Sequence, residues 1–393
     1  MTSSSSASFV PPGSVPSAQP ASAILQFGTS RFLLAHADLF VSQALERGDA
    51  IGRITVVQTT DSAESALRVE ALSLGQPYPV HIRGLVGERT VDDVVEGRAV
   101  LRAYSARRDW NAVRREAMTV EVIISNTGDR GFCLDPADTA DSVADRSRPP
   151  RSFPAKIAAL LLERFETVPQ TSLSLFPCEL VSGNGDKLRT LVRDLATAWN
   201  APPAFFDFLS ARCRFANSLV DRIVSEPLQP VGAVAEPYAL WAIEAQEGLV
   251  LPCRHPAIVV TDDLARYEQL KLHILNLGHT VLADLWISGG RPARETVREA
   301  MADPSVRRTL ETVWEREVVP VFAAQGLGLE AELYVEETRQ RFLNPFLAHR
   351  LSDIAGNHAE KKVRRLQPIV ERSLLLAEPI HQPILTSMTN RRS

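Results

Sequence analysis

Short apolar runs alternate with helical segments in the first part of the chain. Residues 23–27 form an apolar run that stops at Gly28, and residues 31–45 then show helical spacing. The β-branched run at residues 54–58 leads into a second helical segment at residues 62–74. Two parallel strands need a long crossover between them, which is usually a helix. The alternation therefore predicts an α/β fold that begins with a βαβ unit.

Helical patterns dominate from about Tyr238 onward, while strand patterns become scarce. The clearest of them cover residues 264–287, 292–301, 305–319 and 329–341. At 393 residues the chain exceeds what a single hydrophobic core usually fills, so two domains are expected. We predict a Rossmann-type dinucleotide-binding domain at residues 23–240, followed by a mainly α-helical substrate-binding domain at residues 241–393.

Composition favours a small-molecule partner. The net charge of -4 and a pI near 6.1 argue against nucleic acid and against an anionic membrane, since both favour clustered basic side chains. The four cysteines are scattered without a CxxC pair, which predicts no metal site, no disulfide framework and a cytoplasmic location. Residues 1–22 carry no charged side chain and are predicted to be a disordered tail. The oligomeric state stays open.

The turn after the first strand is a candidate phosphate site. Unpaired N–H groups and a helix dipole meet where a strand, a glycine turn and a helix follow one another. The candidate cofactor-binding residues of this turn are Gly28, Thr29, Ser30, Arg31 and Phe32. Ser30 stands where the GxGxxG fingerprint has its second glycine, so an ordinary strand-helix turn is an equal alternative.

Three further residues are cofactor candidates because they follow strands. Asp61 can accept hydrogen bonds from a ribose diol and would repel a 2′-phosphate, which favours NAD. It can equally be the cap of the helix that begins at Ser62. Asn126 and Thr127 follow a later buried strand, at the edge where ligands bind in parallel sheets, or they belong to a plain turn.

The most informative stretch is an apolar helix that carries Lys271, Asn276 and His279. At about 100° per residue these side chains fall within an arc of roughly 140°, so they can converge on one ligand. Burial of the lysine would lower its pKa and make it a general base, with the amide and imidazole contacting substrate oxygens. The alternative is an amphipathic helix whose lysine reaches water.

This helix resembles the KxxxxNxxH signature of the polyol-specific long-chain dehydrogenases, the family of mannitol 2-dehydrogenase, fructuronate reductase and tagaturonate reductase. Six more motifs resemble the family in its own order. They are LQFG with RF at residues 25–32, SNTGDRGF at 125–132, PCELV with NG at 177–185, NSLVDRI at 217–223, EP with LW at 236–241, and RF with NP at 341–345. The resemblance covers residue 24 to about residue 370.

The resemblance implies metal-independent chemistry with NAD. By motif, Lys271 is the general acid/base, Asn276 and Asn184 stabilise the alkoxide, and His279 orients the substrate. Asn184 can instead belong to a tight Asn-Gly turn. The candidate substrate-binding residues are His349, Lys361 and Arg365, which lie in the region that resembles the family's substrate-closing segment. Alternatively, they belong to a solvated charged face.

The PCEL and EPxxLW segments resemble those of tagaturonate (altronate-type) reductases. We therefore expect an NAD(H)-dependent oxidoreductase that interconverts a sugar-derived secondary alcohol and ketone, with a hexuronate as substrate. A mannitol- or arabinitol-type polyol 2-dehydrogenase is the alternative within the enzyme class. A non-catalytic sensor of a sugar acid or nucleotide is the alternative outside it. Two departures from the family pattern, Ser30 and Asp129, bear on the cofactor turn and its neighbouring loop.

Overall fold

The computed structural model describes residues 22–60, 62–128 and 131–391. Apart from Ser22, the predicted tail lies outside the described residues. Within the described ranges the chain forms thirteen strands, namely β1 (Ile24–Phe27), β2 (Ile54–Gln58), β3 (Tyr78–Val86), β4 (Arg89–Gly97), β5 (Val100–Ser105), β6 (Val122–Ser125), β7 (Leu173–Pro177), β8 (Cys213–Phe215), β9 (Ser218–Asp221), β10 (Val224–Pro227), β11 (Ala233–Ala235), β12 (Leu240–Glu244) and β13 (Ile258–Thr261).

A six-stranded parallel sheet in the order β5-β2-β1-β6-β7-β8 forms the centre of the N-terminal part. Buried apolar residues of its strands face both sides of the sheet, as parallel sheets covered by helices require. Ile24 points into one hydrophobic cluster and Leu25 into the other, because successive strand residues face opposite sides. The surrounding helices are α1 (Arg31–Leu34), α2 (Ala37–Leu45), α3 (Ala63–Ser73), α4 (Ala106–Ala117), α5 (Ala140–Ala144), α6 (Phe153–Thr167), α7 (Asn184–Ala198) and α8 (Pro203–Arg212).

The structure differs from the sequence expectation at the first helix. The single helix predicted at residues 31–45 is broken at His36, whose backbone is not helical and whose Nε2 lies 3.0 Å from the Leu240 carbonyl oxygen. Strands β3 and β4 pair antiparallel and belong to a separate four-stranded sheet, β10-β11-β3-β4. A third sheet, β13-β12-β9, continues the strand-rich part to Thr261. The boundary at residue 240 stays a prediction.

The remainder of the described chain is helical. Its helices are α9 (Leu264–Leu270), α10 (Asn276–Ser288), α11 (Val297–Ala302), α12 (Pro304–Thr312), α13 (Val319–Ala323), α14 (Gly328–Phe342), α15 (Leu351–Ile354), α16 (His358–Arg365), α17 (Gln367–Leu374) and α18 (Pro383–Asn390). Two π-helical segments, Lys271–Leu275 and Val313–Val318, continue α9 into α10 and α12 into α13. The predicted fold class, a Rossmann-type α/β part followed by a mainly α-helical part, is confirmed. None of the described helices combines the length and apolarity that crossing a membrane requires.

Trp314 belongs to the π-helical segment Val313–Val318 and packs against the π-helical segment Lys271–Leu275. Its fully buried ring donates from Nε1 to the Ile274 carbonyl oxygen at 3.2 Å and packs beside Phe342. A Cβ atom at Gly278 would lie 2.7 Å from Trp314 Cζ2, so the glycine lets α10 approach the indole closely. The helix that begins at Lys271 is therefore positioned by one large core side chain.

We predict that Trp314→Ala destabilises the protein strongly, since truncating a buried tryptophan usually costs about 3–5 kcal/mol. Urea unfolding followed by circular dichroism measures the shift in midpoint. The matched control is Trp286→Ala, because Trp286 is only half-buried and its Nε1 bonds to Pro292 near the surface. Equal midpoint shifts for the two variants would contradict this assignment.

Candidate active site

Two turns meet at the carboxyl edge of the parallel sheet, where the strand order reverses between β1 and β6. Gly28 follows β1 with φ +118°, and a Cβ atom there would lie 2.4 Å from the Asn126 carbonyl oxygen. Ser30 Oγ donates to Asn126 Oδ1 at 3.3 Å. Ligands bind in the crevice at such switch points of open α/β sheets. The structure thus brings the glycine turn and the Asn126-Thr127 turn together.

The other predicted cofactor residues differ in their surroundings. Ser30 caps α1 by accepting the Leu33 N–H, so its hydroxyl is already engaged with the backbone. Thr29 is buried, while Arg31 is exposed. Phe32 stacks on His36 with ring centroids 4.8 Å apart and packs against the core. Asp61 lies outside the described residues.

Glu179 holds the turn after β6, a role that the sequence analysis did not assign. Its buried carboxylate accepts the Thr127 N–H at 3.0 Å, the Thr127 hydroxyl at 2.8 Å and the Ser125 hydroxyl at 3.0 Å. Burial raises the pKa of Glu179, although these hydrogen bonds oppose the rise. An acidic residue directly after an apolar strand, in a motif already quoted, was the signal that could have found it.

A cleft of about 500 Å³ lies beside this edge, between the turns of the sheet and the helical part. Lys271 and Asn276 line it from one helix, and Lys361 and Arg365 line it from α16. Asn276 is half-buried, and its side-chain amide forms no hydrogen bond with the described residues. Four of the predicted site residues therefore share one cavity.

The Lys271 amine is withdrawn from bulk water. Its Nζ donates to the Val220 carbonyl oxygen at 2.7 Å and lies 3.7 Å from Asp221 Oδ1. Burial lowers the pKa of Lys271 below its ordinary 10.5, while the Asp221 carboxylate opposes this shift. Lys271 also begins a π-helical segment, a distortion of the helix that is frequent at functional sites.

Asp221 is the centre of a buried ionic network that the sequence analysis missed. Arg341 donates to both of its carboxylate oxygens at 3.0 Å, and the Tyr334 hydroxyl donates to Oδ2 at 2.6 Å. Arg341 also donates to Glu236 at 3.0 Å. Burial alone would raise the pKa of Asp221, but the charges of Arg341 and Lys271 hold it below its usual value. The signal was the adjacent charges within the otherwise apolar run 219–224.

His279 lies against His349 and Phe342 in the helical part. Its ring stacks on Phe342 at 4.4 Å and meets His349 edge-on at 4.9 Å. Burial lowers the pKa of His279 well below 6.5, which keeps its imidazole neutral. Its buried Nε2 has no hydrogen-bond partner among the described residues, and neither has Nδ1 of His349.

The catalytic role expected for Asn184 is not supported by its surroundings. The side chain is fully buried, and Nδ2 lies within hydrogen-bond distance of the carbonyl oxygens of Pro177, Glu179 and Ser218. Oδ1 accepts the N–H groups of Gly185 and Ser218. Because backbone groups use the whole amide, Asn184 joins three backbone segments and has no donor left for a substrate oxygen.

Lys361 and Arg365 place positive charge on the helical wall of the cleft. Lys361 Nζ donates to the Ile354 carbonyl oxygen at 2.7 Å. Arg365 donates to the Asn276 carbonyl oxygen at 3.2 Å and to Thr280 Oγ1 at 3.1 Å. Burial lowers the pKa of Arg365 to about 10, so it stays charged near neutrality. Among the described residues, no group of three or more His, Cys, Asp or Glu side chains is arranged to hold a metal ion.

The chain is similar to curated altronate oxidoreductases over most of its length. It is 32% identical to the altronate oxidoreductase of Halalkalibacterium halodurans over 368 residues, which is 88% of this chain and 69% of that protein. It is 30% identical to the altronate oxidoreductase of Bacillus subtilis over 374 residues, which is 88% of this chain and 74% of that protein.

Solved structures share the fold at lower identity. A substrate-free D-sorbitol dehydrogenase superposes with a TM-score of 0.77 at 21% identity, covering 91% of this chain and 77% of that one. The ternary complex of Pseudomonas fluorescens mannitol 2-dehydrogenase with NAD and D-mannitol superposes with a TM-score of 0.71 at 19% identity, covering 94% of this chain and 77% of that one. Residues 22–250 match the mannitol dehydrogenase Rossmann domain, and residues 263–384 match the mannitol dehydrogenase C-terminal domain. The chain therefore belongs to the mannitol dehydrogenase family and is an oxidoreductase that acts on CH–OH groups.

Proposed function

We propose that this protein interconverts a hexuronate ketone and its secondary alcohol with NAD(H), as in the tagaturonate and altronate pair. One observation carries the proposal: the desolvated amine of Lys271 shares a cleft with Asn276 and with the cations Lys361 and Arg365. A proton-transfer group, an oxygen-binding amide and a carboxylate-binding pair are thus within reach of one small molecule.

The cofactor crevice fits a dinucleotide. At Gly28 the backbone conformation and the closeness of Asn126 leave no room for a side chain, as expected where a backbone approaches a pyrophosphate. The turn residues Gly28, Thr29, Ser30 and Asn126 would hold the phosphates, with Thr127 fixed by Glu179. Asp61, which follows β2 in the sequence, supports NAD over NADP. A bound nicotinamide supplies the hydride chemistry.

Lys271 moves the proton in either direction. In alcohol oxidation its neutral amine accepts the hydroxyl proton, and in ketone reduction its ammonium returns the proton to the oxygen. The free amide of Asn276 donates a hydrogen bond to that oxygen and stabilises its negative charge. His279 is not among the described residues that line the cleft, because its ring is buried against Phe342 and His349, so its expected role in orienting the substrate stays a prediction.

Two cations beside the reacting amine support a sugar acid over a neutral polyol. A carboxylate gains charge-assisted hydrogen bonds from ammonium and guanidinium groups, which a hydroxymethyl group cannot match. Lys361 and Arg365 already have neutral backbone partners, so their charge is not cancelled by those contacts. Glu268, Glu360 and Arg364 line the cleft as well, so the support for a carboxylate comes from Lys361 and Arg365 in particular and from the relatives named altronate oxidoreductase.

We predict that Lys271→Met greatly slows turnover while NADH still binds. Loss of a general acid/base usually lowers the rate by about 10²–10⁴-fold. Turnover is followed by NADH absorbance, and binding by NADH fluorescence. The exposed Lys187→Met on α7 is the control and should retain the wild-type rate. A Lys271→Met enzyme within a few-fold of wild type would remove Lys271 from the mechanism.

A second prediction concerns the pH dependence of alcohol oxidation. Oxidation needs the neutral amine, so kcat/KM falls as pH drops through the pKa of Lys271. Since the Asp221 charge raises that pKa, Asp221→Asn should lower it and move the acid limb of the profile to lower pH. Asp92→Asn, at an exposed pair with Arg83, should leave the limb in place. If the acid limb of Asp221→Asn moved to higher pH, Lys271 would not be the group whose titration limits oxidation.

A substrate panel tests the proposed function itself. With NADH, tagaturonate and fructuronate should be reduced with a kcat/KM at least about tenfold above that of fructose. In Lys361→Met, the ratio of kcat/KM between these hexuronates and fructose should be smaller. NADPH replaces NADH in a parallel series. Preference for fructose would favour a polyol 2-dehydrogenase instead. If NADH binds but no member of the panel consumes it, the sensor alternative gains support.

A further inference from the structure

A buried charged cluster joins α10 to α16, outside the cleft described above. Asp284 on α10 lies with its Oδ1 3.2 Å from His358 Nε2 and 3.4 Å from Lys362 Nζ. All three residues are less than one tenth exposed. Lys362 Nζ also donates to the Arg391 carbonyl oxygen at 2.8 Å. The Asp284 carboxylate therefore contacts two residues of α16, the helix that also carries Lys361 and Arg365.

The same helix pair is joined a second time next to the cleft. Arg365, in the last turn of α16, donates to the Asn276 carbonyl oxygen and to Thr280 Oγ1 of α10. His358, Lys362 and Arg365 are spaced by four and three residues, so they lie along one face of α16. That face meets α10 at both ends, and Arg365 lines the cleft together with Lys361.

Among the described residues, Asp284 supplies the carboxylate that pairs with both His358 and Lys362. Without its carboxylate, the buried Lys362 ammonium would have only the Arg391 carbonyl oxygen as a partner among the described residues. An uncompensated buried charge is strongly unfavourable and is relieved by movement toward water. Movement of Lys362 shifts α16, and with it the two cations that face the substrate.

We infer that Asp284 is a positioning residue, which sets α16 against α10 and thereby places Lys361 and Arg365 for the carboxylate of the substrate. The inference rests on the proposed function for the identity of that ligand. Asp284 itself lies eight residues from Asn276 along α10, so it acts through α16 without touching the substrate.

The test separates substrate binding from chemistry. In Asp284→Asn, the KM for tagaturonate should rise about tenfold or more while kcat stays within about twofold, because only substrate placement is weakened. The dissociation constant of NADH, measured by fluorescence, should not change. Val363→Ala, on the exposed face of α16, is the matched control and should keep the wild-type KM. A folded Asp284→Asn enzyme with an unchanged KM overturns the inference.

A second pair of variants decides the matter if Asp284→Asn fails to fold. His358→Gln keeps a donor for the Asp284 carboxylate and should retain a near wild-type KM, whereas His358→Leu should raise it. Equal KM values for the two variants overturn the inference. If the wild type reduces only a neutral ketose, the proposed substrate is wrong, and the same KM ratios measured on that ketose still decide whether Asp284 positions α16.

Discussion

The contact of the Lys271 amine with the Val220 carbonyl oxygen, beside the Asp221 carboxylate, is the interaction on which the site depends. Lys271 comes from the helical part, whereas Val220 and Asp221 belong to β9 of the strand-rich part. Arg341 on α14 completes the network from the helical side. The site therefore exists only when the two parts are folded against each other, and the same contact that joins them removes water from the reactive amine.

Burial and charge act in opposite directions on this amine, and their balance determines its chemistry. Desolvation favours the neutral form of Lys271, while Asp221 favours the ammonium form. Arg341 and Tyr334 also donate hydrogen bonds to the Asp221 carboxylate. Asp221 therefore offsets only part of the effect of burial on the pKa of Lys271. A lysine whose pKa is lowered releases its proton more readily than an exposed lysine, which suits proton exchange with substrate in both directions.

Much of the fold could be predicted from sequence, because its determinants are local. Strand β2 has the predicted bounds, and the helical dominance after residue 264 follows from apolar spacing. The helix break at His36 could not be predicted, since it accompanies a contact with Leu240, 204 positions away. The ion pair between Asp221 and Arg341 could not be predicted either, because 120 positions separate the two residues. The side-chain amide of Asn184 hydrogen-bonds to backbone carbonyl groups that come close only when the chain folds. Sequence spacing grouped Lys271 with Asn276, but the catalytic and cofactor roles stay predictions.

Direct titration of the Lys271 amine is the measurement that tests this account most closely. The chain has five lysines, at positions 156, 187, 271, 361 and 362, so ε-¹³C-lysine labelling gives an NMR spectrum simple enough to assign by substitution. We expect the Lys271 resonance to titrate with a midpoint below the ordinary 10.5. A midpoint at or above 10.5 would mean that the amine is not desolvated in the way described, and the proposed proton transfer would lose its physical basis.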